Sequence, residues 1–181
     1  HRRRHSFPTR RSSDLKKDRL YVAFSKKKKT IVDYGIAGWT VGQYVHVELV
    51  LNGESYSSSA PDGGVRKKYI SYENKSWWDV YEVKGEYDIE NVRKFFELTN
   101  GAKYDFKGIL LAQLLFSANK EDSTKFFCSE WVEIALRLTL GLGEKDPLFL
   151  KGYKFSPNRL FTYLKKYDII ETCDERVFVE V

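Results

Sequence analysis

The sequence predicts an α+β fold in which an antiparallel sheet packs against helices. Three observations predict it. Strand-like runs fill the first half of the chain, an Asn-Gly turn joins two of them, and helical periodicity takes over in the second half.

The first question is which residues belong to the fold. Residues 1–15 resemble a translated sequencing-adapter oligonucleotide, and the 181-residue chain contains no methionine. We therefore expect residues 1–15 to be a non-native or disordered segment and residues 16–181 to form a single domain. The adapter-like start suggests an assembled environmental sequence, for which a phage or bacterial origin is an expectation. Formal net charge is +6, but residues 1–15 hold five Arg and one Asp, so the remainder carries 26 basic against 24 acidic residues, or +2. That balance removes the argument for a nucleic-acid partner. No run approaches the ~18 apolar residues needed to span a bilayer, so the expected setting is soluble, cytoplasmic or virion-associated. Two cysteines are too few for a disulfide framework. Outside residues 1–15 only His46 remains as a histidine, which makes a zinc site improbable, and no cofactor is expected.

The elements follow in order. Arg19 to Phe24 alternates as a first strand, and Lys26–Lys29 reads as a solvated turn. Ile31 to Trp39 suggests a short helix. Tyr44 to Leu51 and Glu54 to Ser59 flank Asn52-Gly53, a hairpin signal because both turn positions need positive φ. Pro61-Asp62-Gly63-Gly64 turns the chain again. Val65 to Ile70 and Trp77 to Val83 supply two more strands, so the expected order is a meander. Asp88 caps a helix that closes at Asn100-Gly101. Asp105 to Phe116 and Phe127 to Leu140 predict two further helices. Ser156-Pro157 opens another, running to about Tyr167, and Arg176 to Val181 predicts a closing strand.

Two residues carry chemical promise. At ~100° per residue, Cys128, Trp131, Val132, Ala135, Leu138 and Thr139 share one helix face, with Ser129, Glu130, Glu133 and Arg137 opposite. Cys128 thus faces the core in the first turn, where unpaired amides and the helix dipole favour a thiolate. An inert packed cysteine is the plainer alternative. His46 lies mid-strand, where an imidazole needs a polar partner. It is either a core histidine or the only imidazole base on offer.

The run Tyr-Val-His-Val-Glu-Leu-Val-Leu, the hairpin, then Lys-Tyr-Asp-Phe-Lys-Gly-Ile-Leu and Phe-Phe-Cys-Ser-Glu-Trp-Val together resemble the YiiX-like permuted papain-fold enzymes. These are relatives of the NlpC-type hydrolases and of lecithin:retinol acyltransferase. The resemblance covers roughly residues 19 to 165 and includes the Ser-Pro helix after the cysteine helix. It implies a circularly permuted papain-like fold, with the histidine strand preceding the cysteine helix. It also implies a thiol hydrolase of the amidase or peptidase type, with Cys128 as nucleophile and His46 as base. Substrates would be a peptide, another amide or an acyl ester. A lipid acyltransferase, or a binding or virion-associated module that has lost turnover, is the alternative.

In relatives a polar residue on the next strand orients the histidine. Counting across the Asn52-Gly53 turn places Ser57, Ser58 or Ser59 nearby, with Ser58 matching the spacing best, while Glu48 is the rival because residues i and i+2 of a strand share a face. We expect Ser58 to be the closer, since i and i+2 neighbours are poorly spaced for contact. Tyr104 matches the Tyr-Asp segment and is a candidate for lining the site, or a core tyrosine. Glu130 either meets a substrate amine or favours the helix start. Trp39, with Trp77 and Trp78, offers a stacking surface, although large aromatics are more often core. Cys173 reads as structural.

Overall fold

The computed structural model describes residues 19–27, 42–104, 125–142 and 156–173. An eight-stranded sheet is built from β1 (Leu20–Ser25), β2 (His46–Leu51), β3 (Glu54–Ser59), β4 (Gly64–Tyr69), β5 (Trp78–Val83), β6 (Lys103–Tyr104), β7 (Lys125–Phe126) and β8 (Ile170–Thr172). Three helices are described: α1 (Ile89–Thr99), α2 (Cys128–Thr139) and α3 (Pro157–Lys166). The class is α+β.

Strand order is β7-β6-β4-β3-β2-β1-β5-β8, antiparallel throughout except for the short parallel pair β6–β7. The Asn-Gly turn does what its residues predict, with Asn52 at φ 51° and Gly53 at φ 81°. Strands β1 to β4 form the expected meander. β5 departs from it by returning to the far side of β1, with Tyr21 opposite Glu82. The physical reason lies in the segment after β4, whose Ile70 and Tyr72 pack on the sheet face carrying Tyr21, Ala23 and Val50. Anchored there, the chain crosses that face instead of adding an edge strand, and β6 pairs with β4 at Gly64. The predicted closing strand at Arg176 to Val181 lies outside the described residues, as do the predicted helices at Ile31–Trp39 and Asp105–Phe116. Among the described residues β8 holds the edge beyond β5.

Alternation in the strands separates two apolar clusters. Leu20, Val22, Phe24, Val47, Leu49, Leu51 and Tyr56 join the helices in the main core, whereas Tyr21, Ala23, Val50 and Tyr72 form the smaller one. α1 begins at Asp88, whose carboxylate accepts the Glu90 N–H at 3.0 Å. It packs on α2 through Phe95 stacked on Trp131 at 5.3 Å, and the Trp131 indole donates to Thr99 Oγ1 at 2.9 Å. α3 starts at Ser156 with Pro157 at its first turn, and the Ser156 hydroxyl accepts the Arg159 N–H. Phe161 of α3 packs edge-on against Phe24 and Tyr44, fixing the helix against the lead-in to β2.

Three positions on α2 depart from the helical-wheel expectation. Leu138 is 43% exposed, while Ser129 and Glu133 are buried together with Leu136. The helix is covered over a wider arc than a single apolar stripe, so the polar residues beside that stripe are enclosed and Leu138, near its end, is not.

Candidate functional site

β6 and β7 deliver the chain to Cys128. Tyr104 pairs with Phe126 in the parallel ladder, which brings the Tyr104 backbone beside the residues leading into α2. Phe127 is the N-cap, in extended conformation, and has no polar side chain with which to cap the helix. Glu130 instead reaches back to accept the Phe127 N–H at 3.4 Å, the contact expected of a carboxylate that favours the helix start. Cys128 opens the helix, and the buried Trp131 and Val132 one turn on clamp it to the sheet.

His46 is the first residue of β2, opposite Ser25 of β1. Its ring is hydrogen-bonded to Glu48 and feels the Cys128 thiol. The Glu48 contact uses Nε2, 2.7 Å from Oε1. Burial opposes charge on His46, but the charges of Cys128 and Glu48 and the hydrogen bonds to both outweigh it, raising its pKa to about 10.

The orienting contact expected of Ser58 is therefore made by Glu48. Two long side chains projecting from one strand face bridge a separation that their backbones alone would not. Ser58 pairs with Val65 of β4 and alternates onto the same side as Tyr56, in the main core, away from the Glu48 side.

Arg66 was not among the residues singled out from sequence. From β4 its guanidinium donates to both Glu48 oxygens, Nη1 to Oε2 at 2.6 Å and Nη2 to Oε1 at 2.5 Å, while Nε donates to Asp62 at 2.9 Å. Lys68 also donates to Asp62. Glu48 is only 1% exposed. Desolvation pushes its pKa up, yet the Arg66 hydrogen bonds and the His46 charge bring it down to about 2. The only local signal for Arg66 was its register, opposite Ser57 in β4.

Of the remaining candidates, Trp39 lies outside the described residues, and Tyr104 is placed by its backbone in β6. Trp78 packs against Tyr72 at 5.0 Å, and Trp77 lies beneath the Lys27 ammonium. Cys173 packs at the margin of the smaller cluster. Among the described residues no three His, Cys, Asp or Glu side chains gather as a metal-ligand set, and no helix is long and apolar enough to cross a membrane.

Comparison of the chain with protein-family models, with curated proteins and with solved structures gives no match.

Proposed function

We propose that the protein is a thiol hydrolase of the amidase or peptidase type, with a circularly permuted papain-like arrangement of histidine strand and cysteine helix. One observation carries the reading. The Cys128 thiol, in the first turn of a helix, acts electrostatically on His46, whose Nε2 is held by an ionised, buried Glu48. A packed structural cysteine has no need of that relay.

The Cys128 sulfur attacks the carbonyl carbon of an amide or ester. The C–N or C–O bond breaks as protonated His46 gives its proton to the leaving group. The product is a thioester on Cys128. His46 then removes a proton from an incoming water, which attacks the thioester carbon. The acid departs and the thiol is restored. Glu48 keeps the ring turned toward the sulfur and stabilises its protonated form, as a carboxylate does for a catalytic histidine. The Cys128 backbone N–H, at the positive end of the helix, is the natural donor to the developing oxyanion.

The test is the rate of Cys128 alkylation by iodoacetamide against pH, in the native protein and in His46→Ala. At pH 6 an ordinary thiol of pKa ~8.5 is less than about one per cent ionised. Rapid alkylation there, abolished in His46→Ala, supports the activated pair and opens a screen of amide and acyl-ester substrates. Slow and equal reaction in both proteins overturns the hydrolase reading in favour of a binding module.

A further inference from the structure

Arg66 stands two strands away from Glu48, since the sheet order is β4-β3-β2. Two strand spacings amount to about 10 Å, and β3 lies between. Its inward residues on that face decide whether the arginine can cross. Ser57 pairs directly with Arg66. Continuing the β2–β3 register from Leu49 opposite Tyr56 puts Ser57 opposite Glu48. Its hydroxyl is turned down to the backbone, donating to Val47 O at 2.7 Å. Ser55, the next residue on that face, is engaged with the Tyr72 hydroxyl at 2.5 Å. Both serines are fully buried. The small residues of β3 thus leave a corridor over the strand, and the Arg66 side chain lies along it, 13% exposed.

We propose that Arg66 is a positioning residue for the Cys128–His46 pair, holding Glu48 ionised and aimed at His46 Nε2 through a corridor that Ser57 keeps open. The proposal rests on the hydrolase reading, because it assigns Arg66 a role in that pair. Two features set it apart from a stabilising surface ion pair. The contact is two-pronged on a carboxylate whose oxygen Oε1 also meets the imidazole. Its other anchor, Asp62, is shared with Lys68 and Ser59, so the guanidinium plane is fixed from behind. The charged and titratable groups around Glu48 are His46 on its own strand, Arg66 from β4 with Asp62 behind it, and Tyr72 from the segment after β4. Of these only Arg66 offers Glu48 a permanent positive charge. Without it, a buried carboxylate is protonated more readily, and a protonated Glu48 no longer holds an imidazolium in place.

The experiment is the pH profile of Cys128 alkylation in the full chain, for the native protein, Arg66→Met, Arg66→Lys, Ser57→Leu and the double variant Arg66→Met/Glu48→Gln. In Arg66→Met the expected result is a new fall in rate between pH 7 and pH 4, as Glu48 titrates. The ratio of rates at pH 7.5 and pH 5 then grows by about tenfold, the equivalent of one pKa unit. Ser57→Leu, which keeps Arg66 but fills its path, produces the same fall. Arg66→Lys, which keeps the charge but loses the fork, produces a smaller one. The double variant, with no group at position 48 to titrate, lacks it. Should Arg66→Met fail to fold, the Ser57→Leu and Arg66→Lys profiles decide. Profiles parallel to the native one in folded variants overturn the positioning role and leave the hydrolase reading standing. A native profile that rises only near pH 8.5, as for an ordinary thiol, overturns both.

Discussion

His46 Nε2 and Glu48 Oε1 meet at 2.7 Å across a single intervening residue of one strand. An imidazole and its carboxylate are commonly supplied by different elements. Here one strand supplies both, so their spacing is set by the pleat and they move together. Glu48→Gln keeps the shape and a hydrogen bond but removes the charge. Loss of an opposite charge within hydrogen-bonding distance lowers a pKa by about one to three units. We expect the His46 ring, followed by NMR and identified by the resonance missing in His46→Ala, to titrate that much lower in the variant. An unchanged titration would show that Glu48 does not act on the ring.

The same groups shape the dependence of stability on pH. Glu48 has a folded pKa of about 2, below its unfolded value of ~4.5. Its contribution is present above about pH 4.5 and is lost as pH falls toward 2. His46 is raised to about 10. Its contribution is complete below about pH 6.5 and is lost as pH rises through 10. Between these lies Glu133, 2% exposed, with neither carboxylate oxygen hydrogen-bonded among the described residues. Burial pushes its pKa up to about 7, with Arg137 opposing. Its protonated form suits the fold, so stability declines from about pH 4.5 to 7 as the carboxylate is forced to ionise. Glu133→Gln removes that decline. Chemical denaturation is expected to find the variant more stable by about 3 kcal/mol at pH 8 and equal to the native protein near pH 4. Destabilisation at pH 8 would mean that the ionised carboxylate has a favourable partner.

Gly64 closes the sheet where it matters for Cys128. It pairs with Lys103 of β6, and the next ladder leads through Phe126 into α2. Its φ is 151°, and a Cβ there would stand 1.9 Å from the Ala102 carbonyl oxygen. Backbone, not a flexible side chain, blocks the substitution. Gly64→Ala is expected to cost about 2 kcal/mol or more in denaturant unfolding and to slow Cys128 alkylation by displacing β6. Full stability in the variant would show that the β4–β6 junction yields freely.

Much of this arrangement was legible in the residues, and the exceptions share a cause. Asn52-Gly53, Asp88 and Ser156-Pro157 act within a few positions of themselves, so their turn and caps could be placed directly. Cys128 at a helix start was visible for the same reason. Arg66 was not, because its partner lies two strands away and the permissive feature is the smallness of Ser57 between them. Backbone spacing alone underrates Glu48, because it leaves out the reach of the two side chains. A helical wheel sets Glu133 opposite the core face, because it knows one buried stripe and not the second surface that encloses its flank.

Asn158 offers the last test, since it links α3 to the strand that carries the histidine. Its Oδ1 accepts the Tyr44 N–H at 2.9 Å and its Nδ2 donates to the Tyr44 carbonyl at 2.8 Å. One side chain thus stands in for a neighbouring strand, two residues before His46. Gly42 makes room for it, since a Cβ at that position would fall 2.1 Å from the Asn158 Cγ. Asn158→Ala leaves two buried backbone groups unpaired, each costing about 1–3 kcal/mol. Asn158→Asp restores only the acceptor and should recover about half of the loss. If this anchor sets the approach of His46 to Cys128, alkylation at pH 6 slows in both variants, more in Asn158→Ala. Reduced stability with an unchanged alkylation rate would instead confine Asn158 to the packing of α3 and leave the histidine fixed by Glu48 alone.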